Sequence, residues 1–141
     1  MSSRHLSVRL EAATFARLDA ESRRIGETRS QVAKRLLEEG LRMAAHPGIV
    51  FRSGPGGRRP GLMGGPDVWE VIRLFQGTAS RGEDAVRQAA EVSGLTPAQV
   101  RVALRYYAEY SDEVDAWLRR VDEEAAVAEA RWHREQALLG S

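Results

Sequence analysis

Along residues 4–10 polar and apolar side chains alternate strictly, Leu6, Val8 and Leu10 on one face and His5, Ser7 and Arg9 on the other. A period of two is that of a half-buried strand. Over residues 11–25 the period becomes helical, with Phe15, Leu18, Ser22 and Ile25 on one face and Gly26 where a C-terminal cap belongs. A second helix opens at Thr28, with Gln31 placed to close a capping box and Val32, Leu36, Leu37 and Leu41 as its apolar stripe, and runs to about Ala45. A lone strand has two unpaired edges, and two such helices leave a stripe uncovered; both deficits vanish if two copies pair their strands antiparallel. Leu6, Val8, Leu10, Val32 and Leu36 then form a dimer core, and His5, Ser7 and Arg9 face outward on a two-stranded ribbon that fits a DNA major groove.

His46-Pro47-Gly48 stops the second helix. Short apolar runs at 49–52 and 58–63 then flank Ser53-Gly54-Pro55-Gly56-Gly57, which predicts a small hairpin. No Gly-Lys-Ser or Gly-Lys-Thr follows these glycines, so a turn accounts for them better than a phosphate loop does. After Gly64-Gly65-Pro66, Asp67 caps a helix whose Val68, Trp69, Val71, Ile72 and Phe75 supply core bulk. A helix over 83–92, a turn at Ser93-Gly94-Leu95 and a new start at Thr96-Pro97 give a helix-turn-helix layout. Ala90, Gly94, Leu95 and Val100 have the spacing that lets two helices cross tightly. Gln99, Arg101 and Arg105 are left for the exposed face and, with Arg58 and Arg59 of the hairpin, are candidates for a second DNA contact. Packing in a helical bundle produces the same spacing and is the plainer reading of it.

Beyond a further capping site at Ser111-Asp112, residues 113–139 carry apolar positions at Val114, Trp117, Leu118, Val121, Ala125, Ala128 and Trp132. Val114 to Val121 are expected to pack on their own domain, and the alanine-rich stretch past Asp122 to project or fray. The expected fold is therefore mainly α: a ribbon-helix-helix unit over 1–46, a hairpin plus helical domain over 47–120, and a helical tail over 121–141.

Charge sharpens this picture. The net charge of +1 conceals a division at Pro60, with 12 Lys and Arg against 6 Asp and Glu before it and 9 against 14 after it. Residues 61–105 are balanced at 5 and 5, so the acidity lies in residues 106–141, with 9 acidic groups against 4 arginines. A basic front suits a polyanion and an acidic rear a basic protein, with Trp117 and Trp132 as candidate anchors. His5, His46 and His133 are scattered, and no metal, triad or nucleotide constellation is visible, so a binding protein is expected rather than an enzyme, without cofactor or metal. Absence of cysteine, of a long apolar run and of a signal-peptide core leads to the expectation of a cytoplasmic protein with no membrane partner.

Residues 4–43, with the basic alternating strand, the helix ending in Gly26 and Thr28-Arg29-Ser30 opening the next, resemble the CopG- and Arc-like ribbon-helix-helix repressors and antitoxins. The resemblance implies that His5, Ser7 and Arg9 read bases and that the amides at Thr28, Arg29 and Ser30 clamp a phosphate. Elementary physics agrees, since a helix N-terminus favours anions and a guanidinium can bond guanine O6 and N7 together. In the plainer alternative, His5 and Arg9 blunt a strand edge and Thr28 caps a helix. Residues 46–118, through Gly64-Gly65-Pro66-Asp67-Val68-Trp69-Glu70-Val71 and LTPAQVRVALRYYAEYSDEVD, resemble the helical domain of VapB-type antitoxins, often encoded beside toxins similar to PIN-domain ribonucleases. The chain departs from that pattern at Met63-Gly64-Gly65-Pro66, where the family commonly has Gly-Thr-Arg. Together the resemblances imply an antitoxin and autorepressor that binds operator DNA as a homodimer or higher even oligomer and pairs with a toxin ribonuclease. A free-standing transcription or partition factor, and an adaptor whose ribbon only dimerises, are the alternatives.

Overall fold

The structure is a computed structural model that describes residues 2–141, and it divides into two compact units, one ending at Arg42 and the other Met43–Ser141. The first holds helix α1, Ala12–Ile25, and nearly all of α2, Arg29–Ala45. Gly26 ends α1 at φ 72°, a backbone conformation that costs a residue without Cβ nothing, and its N–H donates to the Ser22 carbonyl at 3.0 Å. At the start of α2 the Gln31 amide donates to Thr28 Oγ1 at 3.1 Å while Gln31 Oε1 accepts from the Thr28 N–H at 2.9 Å, closing the capping box.

Two features of this unit in the single chain bear on the expected dimeric ribbon. Residues 4–10 form no strand in the single chain and lie exposed along their whole length, because a strand needs a neighbour for its backbone groups and none is present within the chain. Val32, expected to await a second copy, is already fully buried, whereas Leu36, Leu37 and Leu41 on the same helix stay more than half exposed.

In the second unit β1, Ile49–Gly54, pairs antiparallel with β2, Gly57–Leu62, from Ile49 opposite Leu62 to Gly54 opposite Gly57. Pro55 and Gly56 make the turn, and the φ of 90° at Gly56 is that of the third position of a type II turn, where glycine is favoured. Helices α3, Val68–Gln76, α4, Gly82–Ser93, and α5, Pro97–Leu139, follow. The core lies where Val68, Val71 and Ile72 of α3 meet Val86, Ala89 and Ala90 of α4 and Val100, Ala103 and Tyr106 of α5, with Ile49 and Leu62 closing it from the hairpin. Alanines at the crossings let the helix backbones approach closely while Tyr106 fills the centre. The expected helix-turn-helix turn forms at Gly94, φ 73°, and Thr96 caps α5 in a capping box with Gln99.

The start expected at Ser111-Asp112 is present: the 43 residues of α5 are two helical segments joined across a kink at Tyr110, whose φ of −121° and ψ of 36° are not helical. Tyr107 and Asp115 bridge this bend through a hydroxyl-to-carboxylate bond of 2.8 Å. Val114 is buried, Leu118 packs on the core, and from Asp122 onward every residue is exposed. Among the described residues no helix is long and apolar enough to cross a membrane.

Candidate nucleic-acid interface

His5, Ser7 and Arg9 are all exposed, and the His5 ring nitrogen lies 3.0 Å from Ser7 Oγ, which holds these two polar side chains on one side of the chain. Leu6, Val8 and Leu10 are 71%, 69% and 43% exposed. Polar and apolar residues thus alternate along a segment that is entirely open. Beside it, Leu10, Leu18, Ala33 and Leu36 line an apolar cleft of about 280 Å³ between the two helices of the unit.

The acids of this unit are largely neutralised by their own neighbours. Asp19 pairs with Arg23 at 2.9 Å, Glu27 with Arg35 at 2.8 Å and Glu38 with Arg42 at 3.4 Å, and Glu21 takes Arg24 in a charge-assisted bond that raises the Arg24 pKa. Arg4, Arg9, Arg17 and Lys34 make no ion pair among the described residues, so the uncompensated positive charge sits on the open segment and on the helix faces next to it. At the α2 N-terminus the capping box engages the Thr28 and Gln31 amides, which leaves those of Arg29 and Ser30, the first two helical residues, without an intrahelical acceptor. Arg29 itself leans back on α1, its guanidinium 5.0 Å over the Phe15 ring and 3.6 Å from Asp19, while remaining half exposed.

The residues expected to make a second DNA contact are not assembled for one. Arg59 is drawn inward, its Nε bonded to Asp67 Oδ2, and Asp67 also accepts from Arg52 Nη2 at 3.0 Å and from Trp69 Nε1 at 3.2 Å. Gln99 is spent on the α5 cap, Arg101 pairs with Glu83 and Arg58 bonds Ser53 Oγ at 2.9 Å, while Arg105 alone of the five is exposed without a side-chain partner among the described residues. Of the four arginines among them, Arg59 and Arg101 are thus engaged in ion pairs within the unit. Trp117 and Trp132, expected to anchor one partner together, differ in setting: Trp117 is half-buried with Arg120 stacked 4.2 Å over its ring, and Trp132 is 54% exposed.

Sequence reasoning treated Asp67 only as a helix cap and passed over its place in an ionic cluster. The signal was present, because centring the hairpin on Pro55-Gly56 puts Arg52 directly opposite Arg59, and like charges in register repel unless an anion sits between them. Among the described residues no group of three or more His, Cys, Asp or Glu is placed to hold a metal ion. Comparison of the chain with protein-family models, with curated proteins and with solved structures finds no match in any of the three.

Proposed function

We propose that this chain is a sequence-specific DNA-binding protein that completes its reading surface only as a dimer, residues 4–10 of two copies pairing into an antiparallel ribbon. The observation that carries this reading is the open row of Leu6, Val8 and Leu10 beside the apolar cleft at Leu18 and Leu36. Among the described residues of the first unit only Val32 and Glu39 are buried, too little for a core, and a second copy supplies the missing cover while pairing both strand edges. That arrangement turns His5, Ser7 and Arg9 outward toward a major groove, with Arg9 as the main base reader. It also leaves the free amides of Arg29 and Ser30 to grip a phosphate oxygen. DNA contact is assigned to the first unit alone, in keeping with the internal pairing of Arg59, Gln99 and Arg101.

The role we assign to this DNA binding is that of an antitoxin repressing its own promoter. It rests on the resemblance of residues 4–43 and 46–118 to such proteins and on a second unit that offers protein-binding rather than DNA-binding features. Sedimentation of the full chain at micromolar concentration, with selection from a pool of random duplexes, tests the proposal. A dimer that enriches a palindromic site, and a Val8→Asp variant that is monomeric and enriches nothing, are the expected results. A stable wild-type monomer, or enrichment that survives Val8→Asp, refutes the ribbon. If the site is bound but lies at no promoter of a toxin gene, the repressor reading stands without the antitoxin role.

A further inference from the structure

Over its second half, α5 carries a heptad seam. Val114, Leu118, Val121, Ala125, Ala128, Trp132, Glu135 and Leu139 follow one another at alternating spacings of four and three, and all but Glu135 are apolar. Val114 lies in the core of its own unit, Leu118 packs against it and Val121 is half-buried, whereas Ala125, Ala128, Trp132 and Leu139 continue the same stripe into solvent. Sustained apolar periodicity past the point where the domain ends has no use within one chain, and an isolated helix of this length gains little from its own hydrogen bonds.

A second observation lies at the base of the projecting segment. Pro55 and Gly56 of the hairpin turn, Trp69 of α3 and Trp117, Val121 and Glu124 of α5 line a cleft of about 290 Å³. Gly56 is the floor beneath the indole: a Cβ there would stand 3.5 Å from Trp117.

We propose that the projecting part of α5 pairs antiparallel with the same segment of a second copy, Trp132 of each copy seating in the cleft at the base of the other's helix. Placing Ala125 of one copy level with Ala128 of the other fixes the layers from Val121 to Trp132, and beyond Trp132 each helix passes outside the core in which the other copy's Val114 and Leu118 are packed. Val121 falls level with Trp132, about 16 Å along the axis from it in its own chain, and Trp132 is thereby brought to the cleft wall that Trp117 and Val121 form. Small alanines occupy the two central layers, where the helices approach most closely, and the bulky residues lie at the two ends.

Charge selects the same register. Glu124 flanks the seam on the side where Arg131 of the second copy arrives, and two-fold symmetry makes that contact twice. Like charge would meet at Asp122 and Glu129, but Asp122 is already paired with Arg73 of α3 and Glu129 lies 3.6 Å from His133 on its own helix. Shifting one helix by a heptad in either direction instead sets Arg131 against Arg131 or Glu124 against Glu124. The occupant argued here is a second copy and not a different basic protein, because one segment supplies both the anchor and the cleft and both members of the flanking pair. This inference stands on the second unit alone and does not depend on the ribbon.

The chain has no cysteine, so disulfide trapping in the full-length protein reports the register without background. An Ala125→Cys/Ala128→Cys variant should form an interchain disulfide under mild oxidation much faster than Ala126→Cys/Ala130→Cys, whose positions lie off the seam. Adding Glu124→Arg should slow trapping by roughly tenfold, since two exposed pairs turn from attractive to repulsive together. Combining Glu124→Arg with Arg131→Glu should restore it. All six positions are exposed, so folding is not at stake. Equal rates for the seam and off-seam variants, or no recovery in the double exchange, overturn the proposal and assign the face to a different protein.

Discussion

Replacing Asp67 by Asn removes one negative charge and almost no volume from the junction of hairpin and α3. In the wild type this carboxylate accepts from Arg52 Nη2 at 3.0 Å and Nε at 3.3 Å, from Arg59 Nε and from Trp69 Nε1 at 3.2 Å. Its side chain is only 12% exposed, against 32% for Arg52 and 23% for Arg59. Without the anion two guanidiniums face each other across the hairpin, partly desolvated and uncompensated. Breaking a buried pair in this way costs about 3 to 5 kcal/mol. Because both arginines keep some access to water, about 2 to 3 kcal/mol is the appropriate loss here. Urea unfolding followed by tryptophan fluorescence measures it, since Trp69, Trp117 and Trp132 all lie in the second unit. With a slope of roughly 1 to 1.5 kcal/mol per molar urea, the midpoint should fall by about 2 M. Arg87→Ala, which removes only an exposed pair with Asp84 on α4, should move it by less than about 0.5 M. A loss in Asp67→Asn no larger than that of Arg87→Ala would mean that the cluster is ornamental and the hairpin is held by Ile49 and Leu62 alone.

On a selected operator, Arg9→Ala should lower specific affinity by roughly 1 to 3 kcal/mol and relax one base preference. Arg29→Ala should weaken binding to all sequences and flatten the salt dependence, and gel-shift titrations in which both variants match the wild type would exclude the first unit as the reader. Tyr107 has its pKa raised above the ordinary 10.0, chiefly because its hydroxyl donates to Asp115 and secondarily through burial. A group that holds its proton more tightly when folded stabilises the fold below its unfolded pKa, and that contribution disappears as pH rises through the higher folded value. Asp115→Asn should therefore bring the phenolate absorbance titration of Tyr107 down toward 10.0 and flatten the alkaline limb of the stability profile; an unchanged titration contradicts the assignment.

Periodicity carried most of the local structure into view. Gly26 and Gly94 mark helix ends, Thr28-Gln31 and Thr96-Gln99 mark starts, and Pro55-Gly56 marks the hairpin turn, because each is a local requirement met by adjacent residues. What escaped depended on residues far apart in the chain. Arg59 reads as an exposed turn cation until Asp67 and Arg52 are brought beside it, and Arg101 reads as a helix-face cation until Glu83 arrives from α4. The strand at residues 4–10 is a different case: its pattern is legible, but the partner that would realise it is another molecule. At Tyr110 the helix was expected to end because Ser111-Asp112 looks like a start, and both signals were sound; the bend is where they meet, bridged by Tyr107 and Asp115.

That bend gives α5 the properties of a lever. Its pivot is a ring set 4.7 Å from Tyr106 and 5.9 Å from His46, so the angle is fixed by aromatic packing at the edge of the core. Val114 and Leu118 tie the first turns beyond the bend to the core, and from Asp122 to Leu139 the free arm is about 26 Å long at the rise of an α-helix. A change of about 5° in the direction of the arm would swing its far end by about 2 Å. Whatever engages Trp132 is therefore mechanically coupled to Tyr106, Tyr110 and His46, and a substitution among those three rings would be felt most strongly at the opposite end of the helix.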